Sequence, residues 1–292
     1  MSESTPCGFL LLDKEQGRSS HQALSPCKRF YQERRAGHAG TLDPLATGLL
    51  VAALGKATRL LSLAEGRDKE YLVCARLGVR TDSLDMDGVI FSRADVPASV
   101  DWDGMLHPWI GDIDQVPPAY SAISIDGVRA YERARKGEHM ELPARRVRID
   151  SIELVGGDSP LAGTGWEEGD ITLRVRCSKG TYVRSLVRDL GDALGCGAAV
   201  SALRRTAIGD WRLPDARAPE SEIPALRTVA DTFPELPRFV LDAMDAAPLS
   251  HGHAIRCALD PCEDAIVLDE HGLALAWGRV REGRFQPKAM LV

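Results

Sequence analysis

Between Ile171 and Leu194 the hydrophobic period of the chain changes once, from two residues to about 3.6, and no other feature restricts the fold as tightly. In ITLRVRC, the side chains of Ile171, Leu173, Val175 and Cys177 alternate with Thr172, Arg174 and Arg176, which predicts a half-buried strand. The tripeptide SKG breaks that pattern. Val183, Leu186, Val187, Leu190 and Leu194 then form a single stripe, which predicts an amphipathic helix. The same two textures recur along the chain. Gly8 to Leu12 and the run GLLVAALG, Gly48 to Gly55, read as apolar strands. Tyr71, Val73, Ala75 and Leu77 share one face of another, with Tyr71 near its start. Ser19 to Tyr31 reads as one helix, with Ser19 and Gln22 as a capping box. KATRLLSLA reads as a short helix, and TDSLDMDG as a turn-rich acidic loop. Strands mixed with helices, without strict βαβα order, predict an α+β domain built on a mixed sheet.

The stretch PDARAPESEIPALRT loosens this pattern. Beyond about residue 245 the segments shorten to HAIRCAL, DAIVLD, LALAWGRV and RFQPKAML, which predicts a small β module. The apolar run GFLLL near the N-terminus is too short for a membrane span and lacks the flanks of a signal peptide. Seven cysteines occur singly, with no C-x-x-C pair, which fits reduced thiols in a cytoplasm better than a secreted disulfide framework. A net charge of −6 counts against a nucleic-acid partner, but phosphate binding needs only a local basic surface. KRFYQERRAGH and GVRAYERARKGEHMELPARRVRI offer two.

One carboxylate stands apart. In GHAGTLDPLATGLL, Asp43 is the sole acidic side chain among glycines, threonines and leucines. Pro44 biases it toward an extended backbone, and Gly40 and Gly48 allow a close approach or a sharp bend. An Asp-Pro turn is the plain reading. A displayed nucleophile or base is the functional one. Arg184, in the first turn of the predicted helix, is disfavoured by the helix dipole unless an anion lies near, and Asp43 is the candidate anion. The alternative is a surface arginine beside Arg188. Tyr71 is either a core tyrosine or a ring on which a planar ligand stacks, with a hydroxyl placed to move a proton. If RAYERARK is helical, Arg129, Arg133 and Lys136 line one face suited to phosphates, or simply a solvated face. GLLVAALGKAT has the wrong spacing for a phosphate-binding loop. His251, His253, Cys257 and Cys262 match no common zinc pattern, so no metal site is assigned.

The blocks LLLDKEQGRSS, RAGHAGTLDPLATGLL, KEYLVCARLGVRTDSLDMDG, VPPAYSAISIDGVRAYERAR, CSKGTYVRSLVRDLG and LRRTAIG, taken in order from about residue 8 to 212, resemble the TruB-type tRNA pseudouridine synthases. The C-terminal module resembles, weakly, the RNA-binding PUA-like appendage of that family. The resemblance implies a pseudouridine synthase fold: a mixed, largely antiparallel sheet flanked by helices in residues 1–240, and a PUA-like β module in residues 241–292. It implies isomerisation of U55 in the TΨC arm of tRNA, after the base is flipped out, with no cofactor and no metal. It assigns the chemistry to Asp43, which attacks the ribose or the uracil ring or takes up a ribose proton. Tyr71 stacks on the base and serves in proton removal from C5, and Arg184 pairs with Asp43. By position, Leu203 caps the pocket, His38 fills the space left by flipped bases, Lys14 supports the floor, and Gly40, Arg129, Arg133 and Lys179 contact substrate. Glu15 stands where many relatives have proline and Ser124 where many have lysine, which implies altered affinity rather than lost chemistry. A monomer without an obligate protein partner or a membrane is the expected state. The competing readings are a guide-RNA-dependent synthase subunit and a tRNA-binding or tRNA-folding protein whose catalysis is secondary.

Overall fold

The computed structural model describes residues 6–121, 124–125, 128–129, 142–156, 161, 165, 167 and 169–292. Its strands, in chain order, begin with β1 Gly8–Lys14, β2 Ala36–Ala39, β3 Thr47–Leu54, β4 Lys69–Leu77, β5 Val79–Thr81 and β6 Ile90–Arg93. They continue with β7 Gly111–Gln115, β8 Ser124–Ile125, β9 Val128–Arg129, β10 Arg145–Leu154, β11 Ile171–Cys177, β12 Ala198–Ile208 and β13 Trp211–Arg212. The C-terminal part adds β14 Arg238–Val240, β15 Ile255–Arg256, β16 Cys262–Leu268, β17 Ala274–Arg281 and β18 Arg284–Met290.

Nine strands form one sheet in the order β1-β3-β12-β4-β11-β10-β7, with β2 beside β3 and β13 beside β12. Among the described residues its pairings are antiparallel except one: Arg204 and Arg205 of β12 run parallel to Thr47 and Gly48 of β3. The α+β class and the largely antiparallel mixed sheet are therefore as the sequence predicts.

Alternation does its expected work in β11, where Leu173, Val175 and Cys177 enter the main core with Tyr71, Val73 and Ala75 of β4. The helix Val183–Ala193 lays Val183, Leu186, Val187 and Leu190 on the same cluster. Each such fully buried aliphatic side chain stabilises the fold by about 1.5–3 kcal/mol. Truncating Leu173, which is fully buried, to Ala would cost about 2–5 kcal/mol through the cavity left behind.

A second sheet runs β14-β16-β17-β18-β15. It has its own core of Leu249, Ile255, Val267, Val280 and Phe285. It also shares a cluster with the larger part, in which Ile266, Ala274 and Leu291 meet Phe9, Trp211 and Phe233. Because β14 starts at Arg238, the second sheet reaches back before residue 241.

Two local expectations need correction. The segment read as a single helix over Ser19–Tyr31 is two, Ser20–Ala23 and Ser25–Phe30. Pro26 has no N–H to continue the first and sits in the opening turn of the second. The capping box at Ser19 and Gln22 does form. Arg129 does not begin a helix: Val128–Arg129 pairs with Ser124–Ile125, across the Asp126-Gly127 dipeptide that favours a two-residue hairpin turn. Arg133 and Lys136 lie outside the described residues. Among those described, no helix is long and apolar enough to cross a membrane.

Candidate active site

The loop between β2 and β3 is held on several sides. The Asp43 carbonyl accepts from the Ala46 N–H at 3.1 Å, closing a turn in which Pro44 supplies the fixed φ of the second position. The Pro44 carbonyl accepts from the Gly17 N–H at 2.8 Å and from Lys14 Nζ at 3.4 Å. Ser20 Oγ accepts from the Leu42 N–H at 2.8 Å and donates to the Leu42 carbonyl at 3.1 Å. Leu42, Leu45 and Ala46 are buried in the main core. The Asp-Pro turn of the plain reading forms, and the Asp43 side chain stays 38% exposed.

Gly48 shows why the loop cannot drift. Its φ is +99°, and a Cβ there would sit 2.3 Å from the Arg205 carbonyl. The parallel contact between β3 and β12 therefore requires glycine. It brings the Asp43 loop beside the middle of the sheet.

Arg184 Nε lies 2.9 Å from Asp43 Oδ2. The arginine is buried, in the first turn of the helix Val183–Ala193, as its pairing with Asp43 anticipates. Sequence reasoning missed its other partners. Nη1 lies 3.4 Å from Asp85 Oδ2 and donates to the Ser83 carbonyl, while Nη2 donates to the Tyr120 carbonyl at 2.9 Å. Asp85 comes from the acidic loop TDSLDMDG and is itself buried. Burial pushes its carboxyl pKa up, against the Ser83 hydroxyl bond and the Arg184 charge. Among the described residues the Asp43 side chain makes one ion pair, with Arg184, and it lines the cavity while still 38% exposed.

Tyr71, the third residue of β4, is 8% exposed. Burial pushes its hydroxyl pKa up, and the neighbouring Arg205 guanidinium opposes that rise. Leu203 lies on β12 opposite Val73, and Arg205 opposite Tyr71. Together with Asp43, Gly40, Arg184 and Lys179 they line a cavity of about 720 Å³, a volume suited to a nucleobase and its ribose. Lys69 lines it too, buried and pushed down to about 8 by desolvation, its ammonium donating to the Glu65 and Arg67 carbonyls.

The remaining expected residues are placed less uniformly. Lys14 is fully buried behind the loop, donating to the carbonyls of Glu15, Arg18 and Pro44, and desolvation pushes it down to about 8. His38 lies on β2 away from the lining residues. Its Nδ1 is buried without a partner among the described residues, and burial, Arg205 and His21 push its pKa down. Lys179 is exposed at the rim. Arg129 is placed by its backbone alone, in the hairpin pair, and Arg133 lies outside the described residues. Asp85, Lys69 and Arg205 carried no local signal: each is a polar side chain whose importance depends on burial. Among the described residues no three His, Cys, Asp or Glu side chains gather as a metal site.

Comparison with known proteins adds independent findings. Residues 28–183 match the model of the TruB family pseudouridylate synthase N-terminal domain. Residues 184–266 match that of the tRNA pseudouridylate synthase B C-terminal domain. The chain is 39% identical to the tRNA pseudouridine synthase B of Synechococcus sp. (strain WH7803), over 98% of both proteins. It is 42% identical to that of Ralstonia pickettii (strain 12J), over 85% of this chain and 79% of that protein. Among solved structures, an H/ACA ribonucleoprotein bound to a substrate RNA containing 2′-deoxyuridine aligns with a TM-score of 0.65 over 98% of this chain and 85% of that chain. At 22% identity that likeness speaks to the fold alone.

Proposed function

The chain belongs to the TruB family of pseudouridylate synthases, and from that premise we propose that it acts on U55 in the TΨC arm of tRNA, with Asp43 as the catalytic carboxylate. It is a tRNA pseudouridine synthase, as its relatives are named. The observation that carries the residue assignment is the division of labour at Asp43. Arg184 holds its Oδ2 at 2.9 Å, while the side chain remains 38% exposed in the lining of the cavity. A carboxylate on a clamped turn loses little orientation when substrate arrives, which is what positioned nucleophiles and bases require.

The reaction conserves every atom. The C1′–N1 bond of the uridine breaks, the ring turns, and a C1′–C5 bond forms. A proton leaves C5 and one is regained at N1. The target base must first leave its stack, and Tyr71 and Leu203 supply an aromatic and an aliphatic wall to receive it. Lys179 at the rim and Lys69 on the wall give positive charge to the approaching backbone. The same reading makes tRNA the partner, with the enzyme acting as a cytoplasmic monomer and without a guide RNA.

The test is release of tritium from C5-labelled uridine in a bare, unmodified tRNA transcript. Wild type releases it, Asp43→Asn falls by about 10³-fold or more while still binding tRNA, and a transcript with cytidine at position 55 releases none. Tight binding by a folded wild type without release would overturn the stand-alone enzyme and leave the guide-dependent or binding readings.

A further inference from the structure

Arg205 heads the fully buried side chains of the described residues by volume, at 1% exposure, and among those residues it makes no ion pair. Buried guanidinium groups are ordinarily matched by a carboxylate, because desolvating an unmatched charge is expensive. Here the matching groups are backbone carbonyls. Nε donates to Leu49 O at 2.7 Å, and Nη2 donates to Gly40 O at 3.0 Å. The charge is felt on every side. Burial is the main reason that the pKa values of Lys14 on β1, His38 on β2 and Lys69 on β4 are pushed down, and the Arg205 charge adds to it in each case.

Two parts of the site meet on this one side chain. Gly40 begins the Asp43 loop, and Tyr71 is the residue directly across from Arg205 in the pairing of β4 with β12. We propose that Arg205 is a positioning residue: it sets the Tyr71 ring against the Asp43 loop and turns its unmatched charge toward the Tyr71 hydroxyl while that hydroxyl exchanges protons with the uracil. The proposal rests on the pseudouridine reading above.

The proton path closes on itself. When the C1′–N1 bond breaks, its electron pair stays on the ring, and N1 takes the Tyr71 proton. After the C1′–C5 bond forms, the phenolate takes the C5 proton and the ring electrons are restored. Tyr71 ends as it began. During the interval it is an anion, which burial opposes most strongly, and the groups facing it add to that cost or offset it. Arg205 faces it from β12 and favours the anion, Asp43 faces it from the loop and opposes it, and Cys177 faces it from β11. Burial pushes the Cys177 thiol up to about 12, so it remains uncharged. Lys69, on the same strand as Tyr71, loses its own charge near pH 8. Arg205 is therefore the steady cation beside Tyr71 on the cavity wall.

Single-turnover tritium release distinguishes this role from plain packing. Arg205→Gln and Arg205→Lys are measured in the wild-type and Tyr71→Phe backgrounds, from pH 6 to 9, with thermal melting as the check on folding. Arg205→Gln should lower the saturating single-turnover rate by roughly 10- to 100-fold with the half-saturating enzyme concentration within about threefold, and Arg205→Lys should recover most of the loss. In Tyr71→Phe the further cost of Arg205→Gln should fall below about threefold. Equal loss in both backgrounds, or a rise in the half-saturating enzyme concentration alone, would overturn the proposal. Should Arg205→Gln not fold, Arg205→Lys decides: a shifted pH–rate profile that disappears in Tyr71→Phe supports the role, and an unchanged profile refutes it. Absence of release by wild type would strike the pseudouridine reading instead, leaving a distinct signature.

Discussion

The two faces of the central strands β4 and β12 both hold arginine largely out of water, half-buried on one and buried on the other, yet they treat its charge in opposite ways. Behind the sheet, Arg76 holds Asp170 through two bonds, Nε to Oδ1 at 2.9 Å and Nη2 to Oδ2 at 3.1 Å. The Ser201 hydroxyl donates to the same carboxylate at 2.6 Å, and Glu167 adds a second ion pair at the edge. Everything in that network is answered within the protein. On the cavity face, Arg184 holds two carboxylates but leaves the Asp43 side chain 38% exposed, and Arg205 has no carboxylate partner among the described residues. A closed network fixes strands. An open one, on the same strands, leaves charge available to something that arrives.

That contrast can be broken from either side. Asp170→Ala should produce the largest change in stability, about 3–4 kcal/mol in urea titration, because Arg76 is left without its bidentate partner. Turnover per folded molecule should change less than about twofold, and a large loss of turnover would mean that the rear network reaches the site. Arg184→Lys should do the reverse. A single ammonium cannot serve Asp43, Asp85 and two carbonyls in fixed directions, so kcat should drop by about 10- to 100-fold with only a small shift in melting. Ser20→Ala removes both bonds to Leu42 and should cost about 1–2 kcal/mol, with a several-fold fall in kcat as the Asp43 loop loosens.

The smallest effect is the pH dependence. Lys14 and Lys69 are both pushed down to about 8, well below an ordinary lysine. Each is fully charged below that value and loses its proton as pH rises through it. Between about 8 and the ordinary lysine range the unfolded chain binds more protons, so these two groups make stability rise with pH. RNA affinity should move the other way, weakening a few-fold from pH 7 to 9 at constant salt as the cavity wall loses charge. Parallel slopes for the two quantities would contradict this account.

The sequence was most legible where local pattern decides structure. The alternation of β11, the stripe of the following helix and the short segments of the second sheet all read out directly, because each depends on neighbours two to four residues away. Asp43 stood out for a chemical reason, a lone carboxylate in an apolar loop, and Arg184 for an electrostatic one. Asp85 hid in a loop that looked like any solvated acidic turn, since nothing local signals that one of its three aspartates is buried. Arg205 sat beside Arg204 in a doublet, and only the strand register sends one toward Asp13 and the other toward Gly40. The split helix and the hairpin at Arg129 were local signals, Pro26 and Asp126-Gly127, outweighed by an apparent helical period.

The parallel contact at Gly48 also carries a consequence for synthesis of the protein. Leu49 and Arg205, joined by a hydrogen bond, are separated by 156 residues. A ribosome delivers the Asp43 loop early and its opposite wall late. No nascent chain ending before about residue 205 contains a finished site, and closing so long a loop is slow compared with forming the helices and hairpins within it. The emerging chain can thus carry the Asp43 loop before β12, which supplies the opposite wall of the cavity, has been made.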